Sequence, residues 1–212
     1  MKNNKMSDSY RLGIDIGGTF TDFTLYDQIN REVIVEKVLT SSQDPEKAVL
    51  SGVEKMAKYV PEFYKKLYEV IHATTLITNV ILERKGAKTG LITTEGFRDI
   101  LELRREVRYD IYDMFIKFPS PLVPRALRCG VTERTLASGK ILKPIQASEV
   151  ENVAVFFKKM GVQAVSIAFL HSYKNNLHEL KALKIVKKIL PKIPVSLSHQ
   201  VVAEAKEYER FS

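Results

Sequence analysis

The stretch Arg11-Leu12-Gly13-Ile14-Asp15-Ile16-Gly17-Gly18-Thr19-Phe20-Thr21-Asp22-Phe23-Thr24-Leu25 constrains this chain more than any other. Leu12, Ile14 and Ile16 alternate with Gly13 and Asp15, which is the period of a strand. Phe23 and Leu25 alternate with Thr24 as the chain returns. Between the two runs, Gly17-Gly18 can adopt backbone angles closed to other residues. Their lack of Cβ atoms lets an anion approach their N–H groups. Thr19 and Thr21 place hydroxyl donors beside the turn. Asp15 ends a strand expected to be buried, where an uncompensated carboxylate is costly. A hydrated Mg2+ is one compensation, because that ion keeps waters and binds through one or two carboxylates and substrate phosphates. Two readings follow: a hairpin that holds phosphate, or a plain β-hairpin with a glycine turn and a capping Asp.

Neither common glycine-loop motif is present. There is no G-x-x-x-x-G-K-[ST], and Gly13, Gly17 and Gly18 do not make G-x-G-x-x-G. The glycines lead into a second strand rather than a helix.

Downstream, residues 1–9 read as a disordered lead, and strands are expected over 11–16, 21–27 and 32–39 as an antiparallel meander. Asp44-Pro45 starts a helix to about Tyr59, with Asp44 as N-cap and Val49, Leu50, Val53, Met56 and Ala57 on its apolar face. A short strand over 69–73 passes through His72-Ala73-Thr74-Thr75 into a helix that Gly86 closes. Such a helix start is a natural anion or carbonyl site, or simply a Thr N-cap without ligand. Asn79 lies within that apolar helix, where a polar side chain needs a partner or a ligand. A strand over 88–93 follows, and the order strand, helix, strand suggests a parallel crossover. Arg104, Arg105 and Arg108 could grip phosphate or a carboxylate, or pair with Glu102 and Glu106. A long irregular region spans 112–128, and 129–136 is strand-like. Ser148 is expected to cap a helix to about Met160. Further elements are a buried strand over 164–170, a helix over 177–190 and a strand over 193–197. His171 and His178 are too loosely arranged for a metal site, and His171 reads as a loop or interface histidine.

Composition limits the function classes. With 212 residues, the chain can form one large domain or two small ones. Net charge is +8, but Lys65-Lys66, Lys158-Lys159 and Lys187-Lys188 fall in helix-like segments. That pattern is a solvated helix face rather than a nucleic-acid stripe. The single cysteine, Cys129, excludes an intrachain disulfide and fits a reducing compartment. Its neighbours Leu127 and Val131 place it on a half-buried strand. Met1 to Tyr10 has no signal-peptide apolar core, and no run approaches the roughly 20 apolar residues that cross a bilayer. The expected location is the cytoplasm, with no membrane partner.

The hairpin resembles the first phosphate loop of the actin, sugar-kinase and heat-shock ATPase superfamily. The full run from Asp15 to Asp22 narrows this: it resembles the N-terminal domain of the hydantoinase/oxoprolinase family. Collinear matches continue through Thr74-Thr75 and Asn79, Leu91 to Asp99, Pro121 to Arg125 and Glu207-Tyr208-Glu209-Arg210. Ala73 departs from the family's His-Gly-Thr-Thr run and could narrow backbone approach there.

The resemblance implies an α/β fold, the ribonuclease-H-like lobe of an actin-like ATPase. A mixed sheet would begin with the antiparallel three-strand meander and carry helices on its faces. Residues 10–212 would be one such lobe, its second lobe lying in another part of the enzyme or a partner subunit. The resemblance also implies ATP and Mg2+ as cofactors, and a cyclic amide or ketone as substrate, activated by phosphorylation of its carbonyl oxygen. By match, Gly17, Gly18, Thr19 and Thr21 contact phosphates, Asp22 orients the hairpin, and Asp15 holds Mg2+ through water. Thr74, Thr75 and Asn79 are assigned to the substrate or γ-phosphate side, with Asp15 among the catalytic residues. The enzyme is expected to be an oligomeric ATP-dependent hydrolase of cyclic amides, inactive as this chain alone. The alternatives are a ketone carboxylase, a partner-dependent binding module, and a small-molecule kinase, against which the Thr74–Asn79 and Pro121–Arg125 matches argue.

Overall fold

The computed structural model describes residues 9–41, 44–105 and 107–212. The chain divides after Lys85 into two compact units.

The first unit opens with β1 (Tyr10–Ile16), β2 (Phe20–Asp27) and β3 (Glu32–Leu39), joined as antiparallel neighbours. Asp27 shapes the second turn: its carboxylate accepts from the N–H groups of Ile29 and Asn30 at 2.9 and 3.2 Å. Helix α1 (Pro45–Tyr59) and the short α2 (Phe63–Lys66) lead to β4 (Leu67–Thr74), which pairs parallel with β1. The sheet order is β3-β2-β1-β4. Helix α3 (Leu76–Leu82) follows. Leu12, Ile14 and Ile16 face the core with Phe23, Leu25 and Met56.

The start of the chain is only partly open to description, since residues 1–8 lie outside the described residues. Ser9 is tied in, its N–H donating to Lys66 O and its carbonyl accepting from Gln28 N. Two expectations for α1 are refined here. Asp44 stands at the N-cap of α1 as expected but makes no side-chain capping bond; its carboxylate takes the Lys47 ammonium at 2.5 Å instead. The buried line of α1 is Ala48, Gly52 and Met56, flanked by Val49, Val53 and Ala57, while Leu50 is exposed. Gly52 sits in this line because a Cβ there would stand 2.1 Å from the Phe23 ring.

The second unit begins with β5 (Thr89–Thr94), α4 (Ile100–Leu103) and a 3-10 turn at Arg125–Leu127. Then come β6 (Arg128–Val131), the hairpin β7 (Arg134–Thr135) and β8 (Ile141–Lys143), and α5 (Ala147–Lys159). Strand β9 (Ala164–Ala168), α6 (Leu177–Ile189), β10 (Val195–Leu197), α7 (Ser198–Val201) and α8 (Glu207–Phe211) complete it. The sheet order is β10-β9-β5-β6, and all three pairings are parallel. Helices α5 and α6 pack on each other and on this sheet. Phe157 of α5 lies over Gly90 so closely that a Cβ there would be 2.6 Å from its ring.

The secondary structure is α/β as expected, but among the described residues it fills two four-stranded sheets and the small β7–β8 pair. The expected crossover from β4 to β5 is absent: β4 completes the first sheet on the free edge of β1, and β5 founds the second. The parallel crossovers run instead through α1 and α2 in the first sheet and through α4, α5 and α6 in the second. Ser148 is inside α5, after the boundary residue Gln146, and the expected strand over 129–136 is broken into β6 and β7. Cys129 is half-buried on β6 as expected, and burial raises its thiol pKa. The paired lysines occupy the last turns of α2, α5 and α6, where cations meet the negative end of the helix dipole.

Candidate functional site

The first-unit sheet brings the hairpin turn and the start of α3 together. Antiparallel register sets Asp15 against Asp22 and Ile16 against Thr21. The Gly17 N–H donates to Phe20 O at 2.9 Å, which closes a tight turn with Gly18 and Thr19 exposed at its tip. A Cβ on Gly17 would stand 2.8 Å from that same oxygen, so only glycine permits the closure.

Parallel register sets Ile16 against Thr74. The Ile16 carbonyl, last before the turn, accepts from Thr75 N at 3.1 Å. The hydroxyls of Thr74 and Thr75 also approach it, at 3.4 and 3.5 Å. Helix α3 starts there, and its Asn79 reaches back: Nδ2 lies 3.5 Å from Thr75 Oγ1 and 3.3 Å from where a Gly18 Cβ would be. Gly17, Gly18, Thr74, Thr75 and Asn79 therefore form one cluster, although 55 or more residues separate its two halves in sequence. Thr75 supplies no side-chain N-cap bond to α3. Asn79 is half-buried, and the Thr75 hydroxyl at 3.5 Å is a partner for its amide in that apolar helix.

Two expectations for the hairpin are revised. Asp15 is exposed, not buried, because strand alternation gives the core face to Ile14 and Ile16 and turns Asp15 to the other side. The desolvation argument for a metal ion therefore does not apply. Asp15 and Asp22 instead stand side by side across the ladder, an unfavourable pairing of like charges. Lys37, opposite Asp22 on β3, offsets it with an ion pair at 2.9 Å. Thr21 is fully buried and its hydroxyl pairs with Thr40 Oγ1 at 2.8 Å, while Thr40 N donates to Thr19 O at 2.9 Å. Thr21 thus fastens the hairpin to the end of β3. Sequence reasoning missed Lys37 and Thr40. The length of the 28–31 turn carried the signal, since it fixes the β2–β3 register.

The arginines of the second unit are engaged locally. Arg104 donates to Pro119 O at 2.6 Å and lies over the Phe118 ring. Arg105 pairs with Glu209, and Glu102 pairs with Arg128 rather than with its arginine neighbours. Glu106 lies outside the described residues, and Arg108 is exposed. His171 is held against Glu207, whose carboxylate accepts its backbone N–H at 3.3 Å. Among the described residues, no group of three or more His, Cys, Asp or Glu could hold a metal ion. No helix among them is long and apolar enough to cross a membrane.

The chain is 42% identical over 206 residues to an uncharacterized protein of Methanocaldococcus jannaschii, covering 96% of this chain and 30% of that one. It is 34% identical over 209 residues to the caprolactamase subunit alpha of Pseudomonas jessenii, with 96% and 30% covered. The solved structure of that ATP-dependent caprolactamase superposes with a TM-score of 0.80, over 95% of this chain and 30% of that one. Nucleotide-free acetone carboxylase superposes with a TM-score of 0.85 at 28% identity, over 97% and 31%. The chain spans about 30% of the length of these relatives. The α/β architecture expected from the sequence, that of an actin-like ATPase lobe, is shared with both solved proteins. Residues 11–190 match the family model described as the hydantoinase/oxoprolinase N-terminal region, and the chain belongs to that family.

Proposed function

We propose that this chain is the N-terminal, nucleotide-binding part of an ATP-dependent enzyme that opens a cyclic amide by activating its carbonyl oxygen. The convergence of the Gly17–Phe20 turn with Thr75 and Asn79 carries the reading. It presents a Cβ-free backbone, two threonines and an amide from one small region of surface. The similarity to a caprolactamase subunit favours amide opening, and the similarity to acetone carboxylase supports ketone carboxylation as the second reading.

The residues fit a nucleotide with a hydrated Mg2+. Gly18 and Thr19 are exposed at the turn, and Asp15 is an exposed carboxylate that forms no ion pair among the described residues. Gly17, Gly18 and Thr19 would hold phosphate oxygens, Asp15 would hold the waters of the ion, and Thr75 and Asn79 would orient the γ-phosphate or the substrate carbonyl. Thr21 and Asp22 would act by fixing the hairpin. ATP would supply the phosphoryl group that makes the carbonyl a better electrophile. Positioning and charge neutralisation carry most of phosphoryl transfer, so the site needs no strong nucleophile. The remaining length of the relatives supports a requirement for further domains or subunits.

Calorimetric titration of Mg-ATP tests the reading, with the chain alone, with its Asp15→Ala variant, and with candidate partner chains added. The expected result is binding that strengthens with the partner and is lost in the variant. Absence of binding under every condition would overturn it in favour of a non-catalytic module. Phosphorylated substrate as the released product would point to a kinase.

A further inference from the structure

The second unit holds a cluster that the glycine hairpin does not explain. Glu179, on the first turn of α6, is fully buried, yet four donors converge on its carboxylate. Oε1 accepts from Phe169 N at 3.2 Å and Ser198 Oγ at 2.5 Å; Oε2 accepts from His199 N at 3.2 Å and His199 Nδ1 at 2.5 Å. The carboxylate therefore ties the carboxyl ends of β9 and β10 together, the edge where ligands gather in open α/β sheets.

These bonds fix proton positions. A carboxylate only accepts, so His199 carries a proton on Nδ1, and Nε2 is an acceptor in the neutral form of the ring. Ser198 spends its one proton on Glu179, so the 2.9 Å contact between Ser172 Oγ and Ser198 Oγ must be a donation by Ser172. Ser172 Oγ is then an acceptor as well. His199 and Ser172 line a cavity of about 360 Å3, a size ordinary for small-molecule sites. Lys174 lines it too, as does Asn176 at the amino end of the 13-residue α6. The wall thus offers two acceptors and an ammonium.

We infer that this cavity binds a small oxyanion that still carries a hydroxyl, of the chemistry shared by hydrogen carbonate and hydrogen phosphate. The O–H donates to His199 Nε2 or Ser172 Oγ, and the charged oxygens face Lys174. A fully deprotonated carboxylate such as acetate lacks the donor that the two acceptors require. The inference does not rest on the reading of the glycine hairpin.

The test is a titration of the 212-residue chain near pH ~8, where an ordinary imidazole is neutral. Sodium hydrogen carbonate, sodium phosphate and sodium acetate are used in separate arms. Long-range 15N–1H correlations of the histidine rings are followed, with His199→Gln assigning the His199 signal. The expected result is a saturable shift of His199 Nε2 with hydrogen carbonate, phosphate or both, and none with acetate. The arm that saturates identifies the source. Lys174→Gln, at an exposed position, should keep the fold by its amide fingerprint and weaken binding about fivefold, the size of one exposed charge contact. No shift with either anion, an equal shift with acetate, or unchanged affinity in folded Lys174→Gln would each overturn the inference.

Discussion

Asn79 Nδ2 stands 3.3 Å from the point a β-carbon on Gly18 would occupy, whereas the equivalent point on Gly17 is 2.8 Å from Phe20 O. The first neighbour is the end of a side chain and can yield; the second is backbone and cannot without opening the turn. Gly17→Ala should therefore cost about 1–3 kcal/mol in urea unfolding, as overpacked sites do. Gly18→Ala should unfold near the wild-type midpoint and still shift the Asn79 side-chain amide resonances. Equal losses in the two variants would contradict the turn geometry.

Gly52 and Phe23 share one volume in the first core. Gly52→Ala should destabilise by about 1–3 kcal/mol because the ring must leave its place. Phe23→Leu removes that conflict, so the double variant should lose clearly less than the sum of the single losses. A double-mutant cycle in denaturant measures the difference. Additive losses would mean that helix and ring do not meet.

Glu36 sets an acid limit for the first unit. Hydrogen bonds from Lys55, the Lys37 N–H and Tyr59 hold its carboxyl at about 2, well below the ordinary value of 4.5. A depressed folded-state pKa stabilises above the unfolded value, so this contribution is complete above pH ~4.5 and fades as pH falls towards about 2. Glu36→Gln should lower stability at neutral pH and flatten the dependence between those limits. Urea midpoints across that range read the effect; parallel curves for variant and wild type would refute it.

Glu133 is the buried anchor of the parallel sheet's polar edge. It accepts from the Thr94 hydroxyl and pairs with His178 Nδ1 at 2.7 Å, while Thr94 Oγ1 accepts the Leu170 N–H at 3.0 Å. Glu133→Ala strands these groups without water and should cost about 3–5 kcal/mol. Hydrogen exchange should show β5 and the end of β9 opening first. A loss below about 1 kcal/mol, the scale of an exposed pair, would show that the network is solvated.

Alternation and turn chemistry made most of the elements legible. The β1–β3 meander could be read because each strand alternates and each turn is short. Helix α1 was readable from Pro45 and its apolar spacing, but not the role of Asp44, which depends on Lys47 lying within reach. The division into two sheets was hidden, since element order does not say which free edge a strand will choose. At the candidate site, glycines 17 and 18 announced themselves, and so did the polar start of α3. The exposure of Asp15 did not: a single carboxylate in an apolar strand looks buried until it is known which face the helix covers. Thr21 misled for the opposite reason, since its hydroxyl was satisfied by Thr40, a residue beyond the hairpin.

The bond from Thr75 N to Ile16 O has a bearing on the order in which the first unit assembles. The β1–β2 hairpin is local and can close within microseconds. The edge it presents to α3, however, is set only when β4 docks across a loop of nearly 60 residues, a contact whose closure entropy must be met first. The glycine turn can thus exist early, but the cluster with Thr75 and Asn79 requires that β4 has docked on β1. A nascent or partly unfolded chain would carry the hairpin and lack the site.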